Sequence, residues 1–214
     1  MDAQKVPALI IGTGPEARLA LDILQSKDVL VYGFIARDDE LLLQELNDVL
    51  VVAKADSQDG KSLLSEEYIK FILAEFDISA RKEWVEILSP YSGEIATAVH
   101  NNNWISPYAK IGRGNLINAG VYINANAMMG SFNYIDTNVS IEIDVAIGDY
   151  CNIRTGVIIG QGAQIHDGVN IGSGAIIYQG VTIGRGAYIG PGSVVMKDVD
   201  ENQSVFGNPA QAIG

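Results

Sequence analysis

Few side chains in this sequence can do acid–base or nucleophilic work near neutral pH: it has two histidines, His100 and His166, and one cysteine, Cys151. Asp167 follows His166, a pairing that offers an oriented imidazole as a general base, and a group titrating near neutrality suits that task. The other reading of His166 is an ordinary surface residue, and His100 reads as structural. Glu142 and Asp144 flank Ile143, but a carboxylate near its reference pKa is a feeble base for a hydroxyl unless burial raises it. A catalytic zinc site takes three protein ligands and an open fourth position. Two histidines do not supply a three-histidine set, so no metal is expected. Near the N-terminus, Gly12-Thr13-Gly14-Pro15-Glu16 forms a Gly-x-Gly turn that reads either as a phosphate- or nucleotide-binding turn or as a structural strand-to-helix turn.

The elements that must position these groups fall into two patterns. From Ile105 to Val195 an aliphatic or Met side chain recurs at every sixth residue through sixteen consecutive anchors. The residue four after each anchor is small or β-branched, apart from Asn115 and Asn133. A period of six fits neither a helix nor an alternating strand, and it is the signature of a parallel β-helix. Three hexads make one coil, so anchors eighteen residues apart stack as parallel strands about 4.8 Å apart. Gly112, Gly148, Gly160, Gly172, Gly184 and Gly190 are assigned to corners needing positive φ. In this frame Cys151 points inward, while His166, directly after an anchor, points outward. His166 lies on the order of 10–15 Å from Ile143 within one chain, too far to act at the same point unless a neighbouring copy contributes. The asparagines in the early coils (Asn101 to Asn103, Asn115, Asn118, Asn124, Asn126, Asn133, Asn138) read as turn geometry that asparagine tolerates, or as a sugar-binding patch.

The first 92 residues read as a separate α/β domain, with residues 93–214 forming the β-helix and a short tail. Val6 to Ile11, the glycine turn, and apolar residues at helical spacing from Ala17 to Leu24 spell strand, turn, helix. Val29 to Ile35, Val49 to Val52 and Tyr68 to Leu73 are further strands, and Ser79 is placed as the N-cap of a helix through Leu88, with Glu83 in its first turn. This is a Rossmann-like βαβ arrangement, whose carboxyl edge is where nucleotides and nucleotide sugars commonly sit.

The formal charge is −12, with eighteen acids against nine bases in residues 1–98 and eight against five thereafter. Nucleic acid and anionic membranes are poor partners for such a field. An anionic cofactor must depend on Lys110, Arg113, Arg154, Arg185, Lys197 or backbone amides. No apolar run approaches a membrane span of roughly 18 residues, and the N-terminal sequence has no signal-peptide pattern. The expected location is the cytoplasm.

The two parts in this order resemble the bacterial sialic acid O-acetyltransferase and amino-sugar N-acetyltransferase family of hexapeptide-repeat proteins. The residues that carry the likeness are Ile10-Ile11-Gly12-Thr13-Gly14, Gly33-Phe34-Ile35, Ala98-Val99-His100, the uninterrupted hexads and the closing Val205-Phe206-Gly207-Asn208-Pro209-Ala210. The resemblance implies a left-handed β-helix, a homotrimer, acetyl-CoA as donor lying between neighbouring prisms, and a nucleotide-linked sugar as acceptor held by the N-terminal domain. By position in the family pattern, Asn152, Ser173, Gly190 and Pro191 line the cofactor, and Gly12, Thr13, Gly14, Glu16 and Asp38 face the substrate. Ile143 occupies the place of the family's catalytic histidine, with Glu142 and Asp144 as the retained flanking acids. Asn152 and Glu16 stand where two further histidines often occur. Three outcomes stay open: an acyltransferase-family protein without its base, a non-catalytic nucleotide-sugar-binding or scaffold trimer, and an active N-acetyltransferase whose base has moved to His166 or whose acceptor amine needs none.

Overall fold

A computed structural model describes residues 7–213, which fall into two compact units, Met1–Asn101 and Asn102–Gly214. The first unit contains β1 (Ala8–Ile11), α1 (Pro15–Gln25), β2 (Val31–Ala36), β3 (Glu45–Leu46), β4 (Val49–Lys54), α2 (Gln58–Leu64), β5 (Lys70–Leu73), α3 (Ile78–Leu88) and β6 (Glu94–Ile95). The strands form one sheet in the order β3-β4-β2-β1-β5-β6. All its pairings are parallel except the β3–β4 hairpin. Four consecutive buried residues make up β1, as a strand covered on both faces requires. Strand order reverses between β1 and β5, the topological switch point of such sheets.

Several boundaries differ from the sequence reading. Val6, assigned to the first strand, lies outside the described residues. Asp77, and not Ser79, caps α3 by accepting a hydrogen bond from Ala80 N at 2.8 Å, so the helix starts earlier and Glu83 is not in its first turn. Sequence reasoning missed α2, which Ser57 caps, and the hairpin, whose turn places Asn47 and Asp48 both at positive φ. The first unit also runs past Ser92. Strand β6 extends its sheet, and Asn101 bonds Ser26 through both its main-chain and side-chain nitrogens at 3.1 and 2.7 Å.

The second unit is a stack of coils with three parallel faces. The first face carries Trp104–Ile105, Tyr122–Ile123, Ser140–Ile141, Ile158–Ile159, Ile176–Ile177 and Val194–Val195. The second carries Lys110–Ile111, Met128–Met129, Ala146–Ile147, Gln164–Ile165 and Thr182–Ile183. The third includes Leu116–Ile117, Tyr134–Ile135, Asn152–Ile153, Asn170–Ile171 and Tyr188–Ile189, continued by Ser204–Phe206. Strands pair in register with those eighteen residues away, Ile141 with Ile159 and Ile153 with Ile171 among them. The anchors from Ile117 to Val195 are buried, as are the small residues four positions after them from Asn115 onward.

The corner glycines correct the sequence reading. The residue three after each anchor from Ile111 to Ile189 has positive φ, filled by Gly, Asn or Asp except at Phe132 and Tyr150. Gly112, Gly148, Gly160, Gly172, Gly184 and Gly190, expected to supply that conformation, do not have it. They sit directly after anchors, where the next coil passes so close that a Cβ has no room. At Gly148 it would lie 2.8 Å from Asp167 N.

Asn115 and Asn133, the exceptions among the small inward positions, are buried at 1% and 2% exposure. They form a ladder: Asn115 Oδ1 accepts from Asn133 N at 2.8 Å, Asn133 Oδ1 accepts from Cys151 N at 2.7 Å, and Asn133 Nδ2 donates to Gly148 O at 3.0 Å. The two carboxamides thus satisfy main-chain groups that a hydrophobic residue would leave to solvent or to nothing. Asn133→Ala strands the Cys151 amide and the Asn133 contact to Gly148. Each buried unpaired group costs about 1–3 kcal/mol, so the variant is expected to lose about 2–4 kcal/mol in urea unfolding. A loss under half a kcal/mol, roughly the noise of a surface change, would remove the ladder from the stability account.

Candidate active site

At the sheet switch point, β1 ends in Gly12, whose φ is +116° and whose missing Cβ would overlap the carbonyl of Ala74, the residue after β5. Gly12 therefore has a structural reason to be glycine whatever the turn binds. Gly14 is the N-cap of α1 without a side-chain cap, and Pro15 opens the helix. The partial positive charge of a helix N-terminus is a ready anion site. Here Glu16 already presents a carboxylate there: its Oε2 lies 3.1 Å from where a Cβ on Gly14 would be. Thr13 is half-buried beside it.

Asp38, after β2, accepts from the main-chain amide of Glu40 at 3.1 Å. Asp39 pairs with Lys54 at 3.3 Å, and Asp56 pairs with the same ammonium at 3.4 Å. The hydrogen bond and charge of Asp39, followed by the charge of Asp56, hold the Lys54 ammonium above its ordinary pKa. Arg37 bonds Glu83 and lies over the Trp84 ring. The carboxyl edge of this sheet is thus crowded with acids, most of them tied to named partners.

In the coiled unit the predicted residues lie on different corners. Glu142 and Asp144 stand between the first and second faces. Glu142 Oε1 accepts from Ser140 Oγ at 3.1 Å, and its Oε2 from Asn124 Nδ2 at 3.4 Å. Asp144, at φ +61°, accepts from Asn126 Nδ2 at 3.0 Å. Ile143, between them, is 42% exposed, an apolar side chain displayed where a polar one would cost nothing. Beside this corner is a depression of about 320 Å³ lined by Tyr108, Lys110, Asn126, Met128 and Asp144. Sequence reasoning singled out Lys110, Asp144 and, as part of a sugar-binding patch, Asn126; the exposed Tyr108 and Met128 at outward positions were the signal available for the other two.

His166 is exposed and stands between the second and third faces. The expected pairing with Asp167 is not present. Asp167 Oδ1 accepts from Asp149 N at 2.9 Å, and Oδ2 pairs with Arg185 at 3.4 Å. Asp149 in turn accepts from Ser131 N. The carboxylate serves the stacking of coils and leaves the imidazole unoriented by it. No chain-internal arrangement brings His166 to Glu142 and Asp144.

The cofactor-side candidates occupy the third face and its following corner. Asn152 is 2% exposed and donates to Asn170 Oδ1 at 2.9 Å. Ser173 and Pro191 are exposed, whereas Gly190 is buried against Phe206, whose ring a Cβ would strike. Above Asn152, the corner after the third face carries Gly172, Ser173, Gly174, Gly190, Pro191 and Gly192, whose glycine amides donate to neighbouring coils: Gly172 to Ile189 O, Gly174 to Thr155 O, Gly190 to Val205 O and Gly192 to Ser173 O. The closing loop is fastened there: Gly207 N donates to Ser193 Oγ at 3.1 Å and Ala210 N to Val194 O at 2.8 Å. A depression of about 460 Å³ opens beside it, with Met196, Lys197, Gln203, Pro209 and Ala210 in its wall. Among the described residues, no group of three or more His, Cys, Asp or Glu could hold a metal ion, and no helix is long and apolar enough to cross a membrane.

A model of the bacterial transferase hexapeptide family (six repeats) matches residues 162–197. No curated protein matches the chain by sequence. Among solved structures, a histidine-to-asparagine variant of perosamine N-acetyltransferase from Caulobacter crescentus, in complex with CoA and GDP-perosamine, superposes with a TM-score of 0.80. It is 25% identical and covers 97% of each chain. The acetyltransferase domain of PglB from Neisseria gonorrhoeae gives a TM-score of 0.86 at 21% identity, covering 97% of this chain and 100% of the domain. WeeI from Acinetobacter baumannii gives 0.65 at 22%, with the same coverage. The last two likenesses speak for fold. The hexapeptide repeat and parallel strands fit a left-handed β-helix.

Gly12→Ala combines a strained φ with a main-chain clash. It is expected to destabilise the first unit by about 2–4 kcal/mol, read as a lowered thermal midpoint. An unchanged midpoint would mean that the turn relaxes freely and that its glycine answers to a ligand instead.

Proposed function

We propose that this protein is an acyltransferase-fold enzyme that takes acetyl-CoA as donor and transfers the acetyl group to the amine of a nucleotide-linked amino sugar. The observation that carries the reading is the third-face corner. At Gly172, Ser173, Gly174, Gly190, Pro191 and Gly192 it carries no bulky side chain of its own, with the Phe206 ring lying against Gly190. Pantetheine is a flexible chain that main-chain carbonyls and flat apolar contact can hold. Under the closing loop at the end of the stack, a separate depression walled by Lys197 offers an ammonium to the donor's phosphates. Superposition on the perosamine N-acetyltransferase complex over 97% of both chains supports the choice of acceptor class.

Ile143 then defines the chemistry. With no imidazole at that corner, deprotonation of the attacking group falls to solvent or to the acceptor's own pKa. An amine that is neutral in part at working pH can attack the thioester carbonyl unaided; a sugar hydroxyl cannot do so readily. Losing a positioned base ordinarily costs roughly 10²–10⁴-fold, so turnover should be slow and should rise with pH as the amine deprotonates. Glu142 and Asp144 would polarise the acceptor without removing its proton. In the N-terminal unit, Glu16 at the turn of Gly12, Thr13 and Gly14 favours hydrogen-bond donors such as ribose or sugar hydroxyls over a bare phosphate, and Asp38 stands at the same edge.

A homotrimer fits the first face, where Trp104, Tyr122, Ile158 and Ile176 are outward and exposed. A heterologous threefold closure covers such a surface without leaving one free. It is also the arrangement in which residues from separate corners, His166 included, could meet. The exposed isoleucine at 143 favours a second reading: a trimer that binds nucleotide sugars and donor but leaves chemistry to a partner. The working compartment we infer is the cytoplasm, where acetyl-CoA is available.

Two measurements test this. Calorimetric titration with acetyl-CoA should saturate near one per chain, and absence of heat up to millimolar donor would sink the enzyme reading. Ile143→His should raise thioester cleavage with an amino-sugar nucleotide by roughly 10²-fold or more. A flat response in a variant that still binds donor would leave the scaffold reading in place.

A further inference from the structure

The depression at the corner between the first and second faces has a composition that the stacking of coils does not require. It is lined from two rows: Tyr108, Asn126 and Asp144 stand three residues after first-face anchors, and Lys110 and Met128 stand outward on the second face. Asn126 and Asp144 are bonded to each other and both take positive φ, so they serve the corner itself. Tyr108, Lys110 and Met128 have no such duty. Tyr108 is the one aromatic residue in its row, whose later members are Asn126, Asp144, Gly162, Gly180 and Asp198. Lys110 is the one cation in the outward row Lys110, Met128, Ala146, Gln164 and Thr182. Tyr108 is 72% and Met128 54% exposed, two large apolar surfaces displayed around one hollow. Among the described residues the Tyr108 hydroxyl has no hydrogen-bond partner and the Lys110 ammonium no ion pair, although Asp144 lines the same depression.

We propose that this depression receives one anionic sugar ring, its acid group on Lys110 and its apolar face against Tyr108 and Met128. A volume of about 320 Å³ is at the lower end of the roughly 300–1,000 Å³ of small-molecule sites. It has room for a substituted monosaccharide and not for a whole nucleotide sugar. Tyrosine offers a flat apolar body with a hydroxyl at one edge, and methionine adapts to an irregular apolar contour. Together they match a pyranose, whose C–H face is bounded by hydroxyls. The unpaired ammonium is a point charge with three donors, an exception within a chain of net charge −12. The oxygens of Asn126 and Asp144 outside their mutual bond are acceptors for ring hydroxyls. A carboxylate on the ring and a phosphate at its anomeric carbon supply the same negative charge. That the ring belongs to the acetyl acceptor rests on the acyl-transfer reading, because the depression adjoins the Ile143 corner; the sugar subsite itself does not.

Tyr108 and Lys110 are exposed, so substitutions there should leave the thermal midpoint unchanged and report on binding alone. Ligand-observed NMR titrations would use glucuronate, glucose 1-phosphate and glucose, with inorganic phosphate as competitor. At least one of the two anionic sugars should saturate, about five- to ten-fold tighter than glucose. Lys110→Gln should bring it down to the level of glucose, and Tyr108→Ala should weaken all three sugars. Preference for glucuronate places the acid on the ring, and preference for glucose 1-phosphate places it at the anomeric carbon, where a nucleotide sugar carries its phosphates. No saturable sugar binding, binding indifferent to Lys110→Gln, or displacement by inorganic phosphate at equal concentration overturns the proposal. Calorimetry with acetyl-CoA on the same proteins separates the two readings. Donor binding without sugar binding leaves acyl transfer standing and removes the subsite, whereas sugar binding without donor binding does the reverse.

Discussion

The main-chain hydrogen bonding between successive coils is the constraint on which the rest of the second unit depends. Tyr122 N reaches Val139 O, Ser140 N reaches Val157 O, and Ile158 N reaches Ala175 O, each within 3.0 Å. Repeating this bond up three faces forces every strand to be two residues long in effect, fixes the coil at eighteen residues, and leaves an interior only wide enough for one aliphatic anchor and one small side chain per hexad. The anchors are therefore nearly interchangeable in energy and position. The close passage of coils at the corners follows from the same spacing and excludes a Cβ at Gly148 and Gly172.

That regularity shapes what chemistry the unit can host. A side chain on one corner meets only its counterparts in the coils above and below, so polar groups organise as columns. Asn126 bonds Asp144, Asn118 bonds Asp136, and Ser131, Asp149 and Asp167 bond in sequence. Groups on different corners of one chain are kept apart. Glu142, Asn152 and His166 occupy three different places around the coil. Any site that combines them has to be completed across copies, so catalytic competence and assembly become one question.

The hexad made the faces, the inward anchors and the burial of Cys151 legible from sequence, because a period of six has one structural solution. Left-handed corners were misassigned because glycine has two uses: Gly168 relieves backbone conformation, whereas Gly148 relieves a contact with the next coil, and only coordinates separate them. The Asp167 carboxylate was assigned to His166 because they are adjacent in sequence, but its partner Asp149 N is eighteen residues away. In the first unit, alternating apolar runs located β1, β2, β4 and β5. The cap of α3 was displaced by two residues because Asp77 and Ser79 are both good caps, and tertiary packing chose between them. Glu142, Asp144, Asn152 and Ser173 were singled out by the family resemblance, because the hexads fix where a side chain stands around the coil but carry no record of what it binds.

A repeat with interchangeable anchors has no intrinsic means of counting: a chain segment could pair one coil too early or too late and still present isoleucine to isoleucine. Pairs that need two particular side chains end that ambiguity. Slipped by a full coil, Asp144 would lose Asn126 and Tyr150 would lose the Phe132 ring, whereas the main-chain partners of Asn115 and Asn133 would be replaced in kind by those of another coil. The side-chain pairs work as index marks on an otherwise unnumbered scale, placed in the early coils where an error in alignment would propagate furthest.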